Sequence, residues 1–154
     1  MKSDPLITYR RKPATLDSRR LQSFAEVLRD RVARGREFHC RITNDAEMRS
    51  LNKQFRAKDY ATDVLSFPSS AVGENGRSLG DIAVSIQRAR AQAREWRHSV
   101  DDEIRILMLH GVLHLLGMDH ELDSGRMRRT EIRWRKKLGL PVGLIERVAE
   151  GEPR

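Results

Sequence analysis

Hydrophobic positions along this chain switch between a period of two and a period near 3.6, and the switches mark out its elements. A short apolar stretch around Leu6–Tyr9 predicts a strand. From Asp17 to Arg34, Leu21, Phe24, Ala25, Leu28 and Val32 fall on one helical face, with Gly35 as a stop. The segment EFHCRIT, residues 37–43, alternates as a strand, and Asn44 with Glu47 forms a capping pair for a helix expected to bury Met48, Leu51 and Phe55. DVLSFP predicts a strand stopped by Pro68. The polar loop SSAVGENGRS follows, and LGDIAVS predicts a second strand able to pair with the first.

Helices dominate the second half. Ser85 caps one running to about Arg97, with Ile86, Ala89, Ala93 and Trp96 inward, and Ser99 with Asp102 opens the next, which contains His110 and His114. A last long helix is expected from Asp123 to Leu138, closed by Gly139 and Pro141, leaving 142–154 as a short tail with one turn near Leu144–Val148. No repeat or domain boundary interrupts this order. The expectation is one domain over residues 1–154, of α/β (α+β) class: a small mixed four-stranded sheet packed by about five helices.

Composition narrows the function classes. A chain of 154 residues buries roughly 70% of its unfolded surface without help, so a metal here serves function better than folding. Two Trp, two Tyr and four Phe are too few for a base-stacking sheet, and the core must be mainly aliphatic. Thirty Lys and Arg against 22 Asp and Glu give a net charge of +8, which favours a polyanionic partner. The N-terminal segment has no apolar signal core and no stretch is long enough to span a bilayer, so a cytoplasmic protein with no membrane partner is expected. The sole cysteine, Cys40, alternates with Phe38 and Ile42, reads as a buried strand position and has no disulfide partner.

The segment HGVLHLLGMDH, residues 110–120, carries the chemistry. His110 and His114, four apart on a helix, share a face with Cβ atoms about 5–6 Å apart. Gly117 sits where a left-handed turn would end the helix and bring His120 toward the same point. Three neutral imidazoles suit Zn²⁺ and leave a fourth position for water, whose pKa falls to about 7 on zinc. Separate core histidines are the alternative, but the surrounding residues 104–116 are almost wholly apolar, and unpartnered imidazoles there would be costly. The same H-x₃-H-x₂-G-x₂-H spacing occurs in metzincin proteases, where a glutamate after the first histidine is the general base. Here that position is Gly111, so the cage is zincin-like and the protease's base is missing.

Two blocks, LNKQFRAKDYATDVLSFP (51–68) and HGVLHLLGMDH (110–120), with LGDIAVS between them, resemble the YbeY family of bacterial rRNA maturation factors. The resemblance covers about half the chain in the right order. It implies a metal-dependent endoribonuclease, with one Zn²⁺ per chain on His110, His114 and His120, and with Arg56 and His114 in the catalytic centre. It further implies preference for single strands, work on ribosomal RNA at the small ribosomal subunit, and a part in ribosome quality control. Phe55 stands where the family often has tyrosine, which keeps the ring and removes a hydroxyl.

The residues themselves give reasons for some of this and leave other parts open. A guanidinium stays charged and can hold phosphate oxygens, which suits Arg56, and Lys58 could add a point charge, although cations at a helix end also meet the dipole favourably. Asp119 could orient a ligand imidazole or cap the next turn. The basic positions 126, 128, 129, 133 and 135–137 could guide a polyanion or form a solvated face. His39 and His98 read as ordinary strand and helix-end residues. Two other functions fit the same residues: a metzincin-like metalloprotease lacking the usual Glu base, and a non-catalytic RNA-binding assembly factor with structural zinc.

Overall fold

Strands form where the sequence alternates, and the computed structural model describes residues 5–69 and 78–149. Four strands, β1 (Ile7–Tyr9), β2 (Glu37–Thr43), β3 (Val64–Pro68) and β4 (Ser78–Ser85), make one sheet in the order β1-β2-β4-β3. β1, β2 and β4 run parallel, and β3 pairs antiparallel with β4. The sheet is therefore small and mixed, as expected, and β3 is an edge. Most of the loop SSAVGENGRS lies outside the described residues.

Among the described residues six α-helices pack around it: α1 (Ser18–Val27), α2 (Asp45–Arg56), α3 (Ile86–Trp96), α4 (Val100–Leu115), α5 (Arg126–Lys137) and α6 (Leu144–Ala149). Asp17, Asn44, Ser85 and Ser99 each accept a backbone N–H in the first turn that follows, which places four helix starts where the sequence put them. The helix expected up to Arg34 instead loosens after Val27 into one π-helical turn over Leu28–Val32. α5 begins three residues later than Asp123, whose carboxylate accepts the Met127 N–H. α4 is apolar on every side, from Ile104, Ile106, Leu107 and Met108 to Val112 and Leu113, and it forms the centre of the main core. On the opposite face of the sheet α2 buries Met48 against Leu65 and Ala83.

Three expectations need correction. Phe55 is 59% exposed, and its ring packs edge-to-face with that of Phe67 at 5.3 Å between centroids. The turn expected near Leu144 is a helix whose Leu144 and Ile145 are buried in the main core. His98 is no ordinary helix-end residue, since its Nε2 lies 2.6 Å from the Glu103 carboxylate. Glu103 and Arg147 are both fully enclosed and joined by two hydrogen bonds of 2.7 and 2.9 Å; Gln92 donates to the same carboxylate, and the Trp96 ring lies 5.0 Å from the guanidinium carbon. Burial pushes the Glu103 carboxyl up, but the Arg147 hydrogen bonds and charge, with His98 and Gln92, outweigh it and hold the group below the usual range. This cluster fastens α6 to the start of α4.

Removing one partner of a buried pair strands the other charge, so Arg147→Ala is expected to cost about 3–5 kcal/mol of stability. Denaturant unfolding checks this; a loss under about 1 kcal/mol, the range of an exposed pair, would show that water already reaches Glu103.

Candidate metal centre

His110 and His114 project from the last two turns of α4, and the helix stops at Leu116. Gly117, at φ +91°, takes the left-handed turn, with Met118 N–H bonded back to the Leu113 carbonyl, and the reversed chain brings His120 alongside. Ring centroids of His120 lie 6.1 Å from those of both helical histidines. Each of the three rings offers a nitrogen, and these nitrogens lie within 4.8 Å of one another. The three residues that the spacing paired are thus brought together, and they could hold one metal ion.

The electrostatics of the pair explain why a cation fits. His110 Nδ1 is 2.7 Å from a Glu131 carboxylate oxygen, and His114 Nδ1 is 2.9 Å from the Met118 carbonyl. Both partners only accept, so each ring carries its proton on Nδ1 and turns the lone pair of Nε2 outward. The two Nε2 atoms stand 3.1 Å apart. Lone pairs at that separation repel unless positive charge lies beside both. Burial, then the neighbouring His110, pushes the His114 imidazole down to about 4, so His114 is uncharged near neutrality and its Nε2 is available to a metal ion.

One wall of the cleft over these rings comes from the block at residues 52–68. α2 ends at Ala57 in a left-handed turn, with Lys58 N–H reaching back to the Asn52 carbonyl, while the buried Asn52 side chain donates to the Tyr60 carbonyl at 2.9 Å. The turn is thereby fixed, and Arg56 extends from it to the β3 edge, where its guanidinium donates to the Ser66 carbonyl at 3.0 Å. Ser66 Oγ in turn donates to the Gly111 carbonyl, next to His110. Arg56, Lys58, Tyr60, His110, His114 and Asp119 line the same cleft, of about 430 Å³.

This arrangement can be set beside known proteins. A family model described as endoribonuclease YbeY matches residues 7–139. The chain belongs to that family. It is 61% identical over 142 residues to the endoribonuclease YbeY of Solibacter usitatus, covering 92% of this chain and 93% of the relative. It is 44% identical over 145 residues to that of Koribacter versatilis, covering 94% and 93%. A solution structure of a Thermotoga maritima protein superposes with a TM-score of 0.55 at 27% identity, covering 83% of this chain and 85% of the other.

Within this YbeY chain, several side chains have other places than sequence reasoning gave them. Asp119 caps the turn, accepting the Glu121 N–H at 3.0 Å, and orients neither helical histidine through a hydrogen bond. The carboxylate that meets His110 is Glu131, which sequence reasoning missed; the available signal was a lone acid inside the basic run RMRRTEIRWRKK. In that run Arg135 pairs with Glu146 at 2.8 and 2.9 Å, while Arg126, Arg128, Arg129, Arg133, Lys136 and Lys137 are exposed. Cys40 is fully buried, and burial pushes its thiol up to about 12, which leaves it inert.

Gly111 faces β4: a Cβ there would stand 3.0 Å from the Ile82 side chain. Among the described residues the carboxylates on the cleft wall are Asp63, which accepts its neighbour's Val64 N–H, and Asp119. Gly111→Glu is therefore expected to lower stability by about 1–3 kcal/mol through overpacking and to confer no peptide hydrolysis; thermal melting and a casein assay check both halves.

The lowered His114 value makes the metal-free fold sensitive to acid. The unfolded chain protonates His114 from its ordinary value of 6.5 downward, whereas the folded protein resists until about 4. Metal-free protein therefore loses stability as pH falls between those values, and His114→Ala flattens the slope. Denaturant titrations with chelator across this range measure it.

Proposed function

We propose that this protein is a zinc-dependent endoribonuclease that cuts single-stranded segments of ribosomal RNA, in the cytoplasm, during small-subunit maturation and ribosome quality control. The observation that carries the reading is the convergence of two Nε2 lone pairs, 3.1 Å apart, in a cleft that also holds Arg56 and Lys58. Tetrahedral Zn–N distances of about 2.0–2.1 Å put neighbouring ligand nitrogens roughly 3.3 Å apart, close to that separation. His110, His114 and His120 would hold the ion, which supplies Lewis acidity toward a phosphoryl oxygen when bound.

The chain's own residues do the rest. Arg56 spends one of its five N–H groups on Ser66 and keeps the others for phosphate oxygens, so charge building on the scissile phosphate meets a fixed cation. His114, uncharged at neutral pH, stays available as a ligand. Tyr60, 54% exposed on the cleft wall, offers a ring face to a base that is not stacked in a duplex. Membership of a family described as endoribonuclease YbeY supports RNA as the substrate. No observation favours the peptidase.

Purified protein is expected to cleave single-stranded RNA in preference to duplex, to stop with chelator, to recover with zinc, and to lose roughly 10²–10³-fold in kcat on Arg56→Ala. Activity untouched by chelation and by the substitution would remove this mechanism. Salt-sensitive RNA binding with no turnover at any metal loading would instead favour the assembly factor with structural zinc.

A further inference from the structure

The Glu131 carboxylate is held more firmly than a salt bridge needs. It sits on the inward face of α5 and is 1% exposed. One oxygen, Oε2, meets His110 Nδ1; the other, Oε1, accepts the backbone N–H of Ile145, in the first turn of α6, at 3.0 Å. The chain entering α6 leaves room for it only because residue 143 is glycine, since a Cβ there would come 2.6 Å from Oε1. Each oxygen thus has a fixed and different partner, and the carboxylate cannot turn without breaking one of them. α6 is itself anchored at Arg147 by the Glu103 cluster.

We propose that Glu131 is the positioning residue of the metal centre: held by the Ile145 N–H of α6, its carboxylate keeps the His110 proton on Nδ1 and leaves the Nε2 lone pair for the ion. This rests on the metal part of the function proposed above. The chemistry is directional. Ile145 N–H needs an acceptor, so in Glu131→Gln the amide oxygen takes the Oε1 place and the NH₂ group is left facing His110 Nδ1. An NH₂ group only donates, so Nδ1 must become the lone pair and the ring proton moves to Nε2, the atom aimed at the metal position. One isosteric substitution therefore switches the tautomer of His110 without turning the ring or removing a contact.

The test reads the ring before it reads metal. Nitrogen-15 NMR of metal-free wild type, at mildly alkaline pH, is expected to show His110 with its proton on Nδ1; Glu131→Gln is expected to show it on Nε2. Zinc affinity, measured by competition with a chromophoric chelator, is expected to fall about 10–100-fold in Glu131→Gln, while the melting temperature of the metal-free variant stays close to wild type. A merely structural glutamate would lower the melting temperature and leave the tautomer alone. Wild-type His110 protonated on Nε2 would overturn the proposal, as would a Glu131→Gln variant with wild-type tautomer and zinc affinity. The wild-type tautomer needs no variant, so the proposal stays falsifiable even if Glu131→Gln fails to fold. If wild type shows the expected tautomer but takes up no zinc, the zinc reading fails and the assignment of Glu131 to His110 stands.

Discussion

An imidazole placed in an apolar helix must have both nitrogens answered, and much else in this structure follows from that constraint. α4 is buried along most of its length, so His110 and His114 have little water to solvate them. The inner nitrogen of each ring is answered by a group that only accepts, a carboxylate for one and a carbonyl for the other. The outer nitrogens are then forced to share one small region as lone pairs. A cation there would answer both outer nitrogens, so the packing that buries α4 also shapes the site.

The opposite end of α4 obeys the same rule with a different solution. Glu103, seven residues before His110, lies two turns away, or roughly 10 Å along the axis. Its carboxylate is answered by Arg147, His98 and Gln92. α6 serves both ends, giving a guanidinium to Glu103 and a backbone N–H to Glu131. A six-residue helix that could not hold itself together in water is thus fixed by two polar anchors and the burial of Leu144 and Ile145. Its contribution to the core is modest, and its contribution to the orientation of buried polar groups is large.

Much of this was legible in the sequence, and the boundary of legibility has a physical cause. Strand alternation, the caps at Asn44, Ser85 and Ser99, and the i, i+4 histidines are local features, and local geometry places them correctly. Gly117 announced the turn that returns His120. What escaped was long-range pairing of polar groups: Glu131 with His110 across 21 residues, Glu103 with Arg147 across 44, and Ser66 with Gly111 across 45. Nothing in a local window marks such a partner, and a glutamate among arginines on α5 looks like charge balance until its face is known to be buried. Phe55 escaped for a related reason. Its helical spacing matched the buried face, but spacing alone does not say what surface lies opposite the last turn of a helix.

The glycine after His110 shows why a shared spacing need not mean a shared reaction. In a metzincin the residue at this position supplies the base, so its side chain must have room to reach the substrate. Here α4 lies so close to β4 that a Cβ at 111 would crowd the Ile82 side chain at 3.0 Å, and the Gly111 carbonyl is engaged by Ser66 of β3. The same tight contact brings the β3 edge, and with it the anchored Arg56, up against the histidine helix. Close packing of helix on sheet therefore disfavours a side chain directly after His110 and sets a guanidinium on the same cleft. A centre built that way holds a fixed cation on the same cleft as the histidines, an arrangement suited to an anionic group that approaches them.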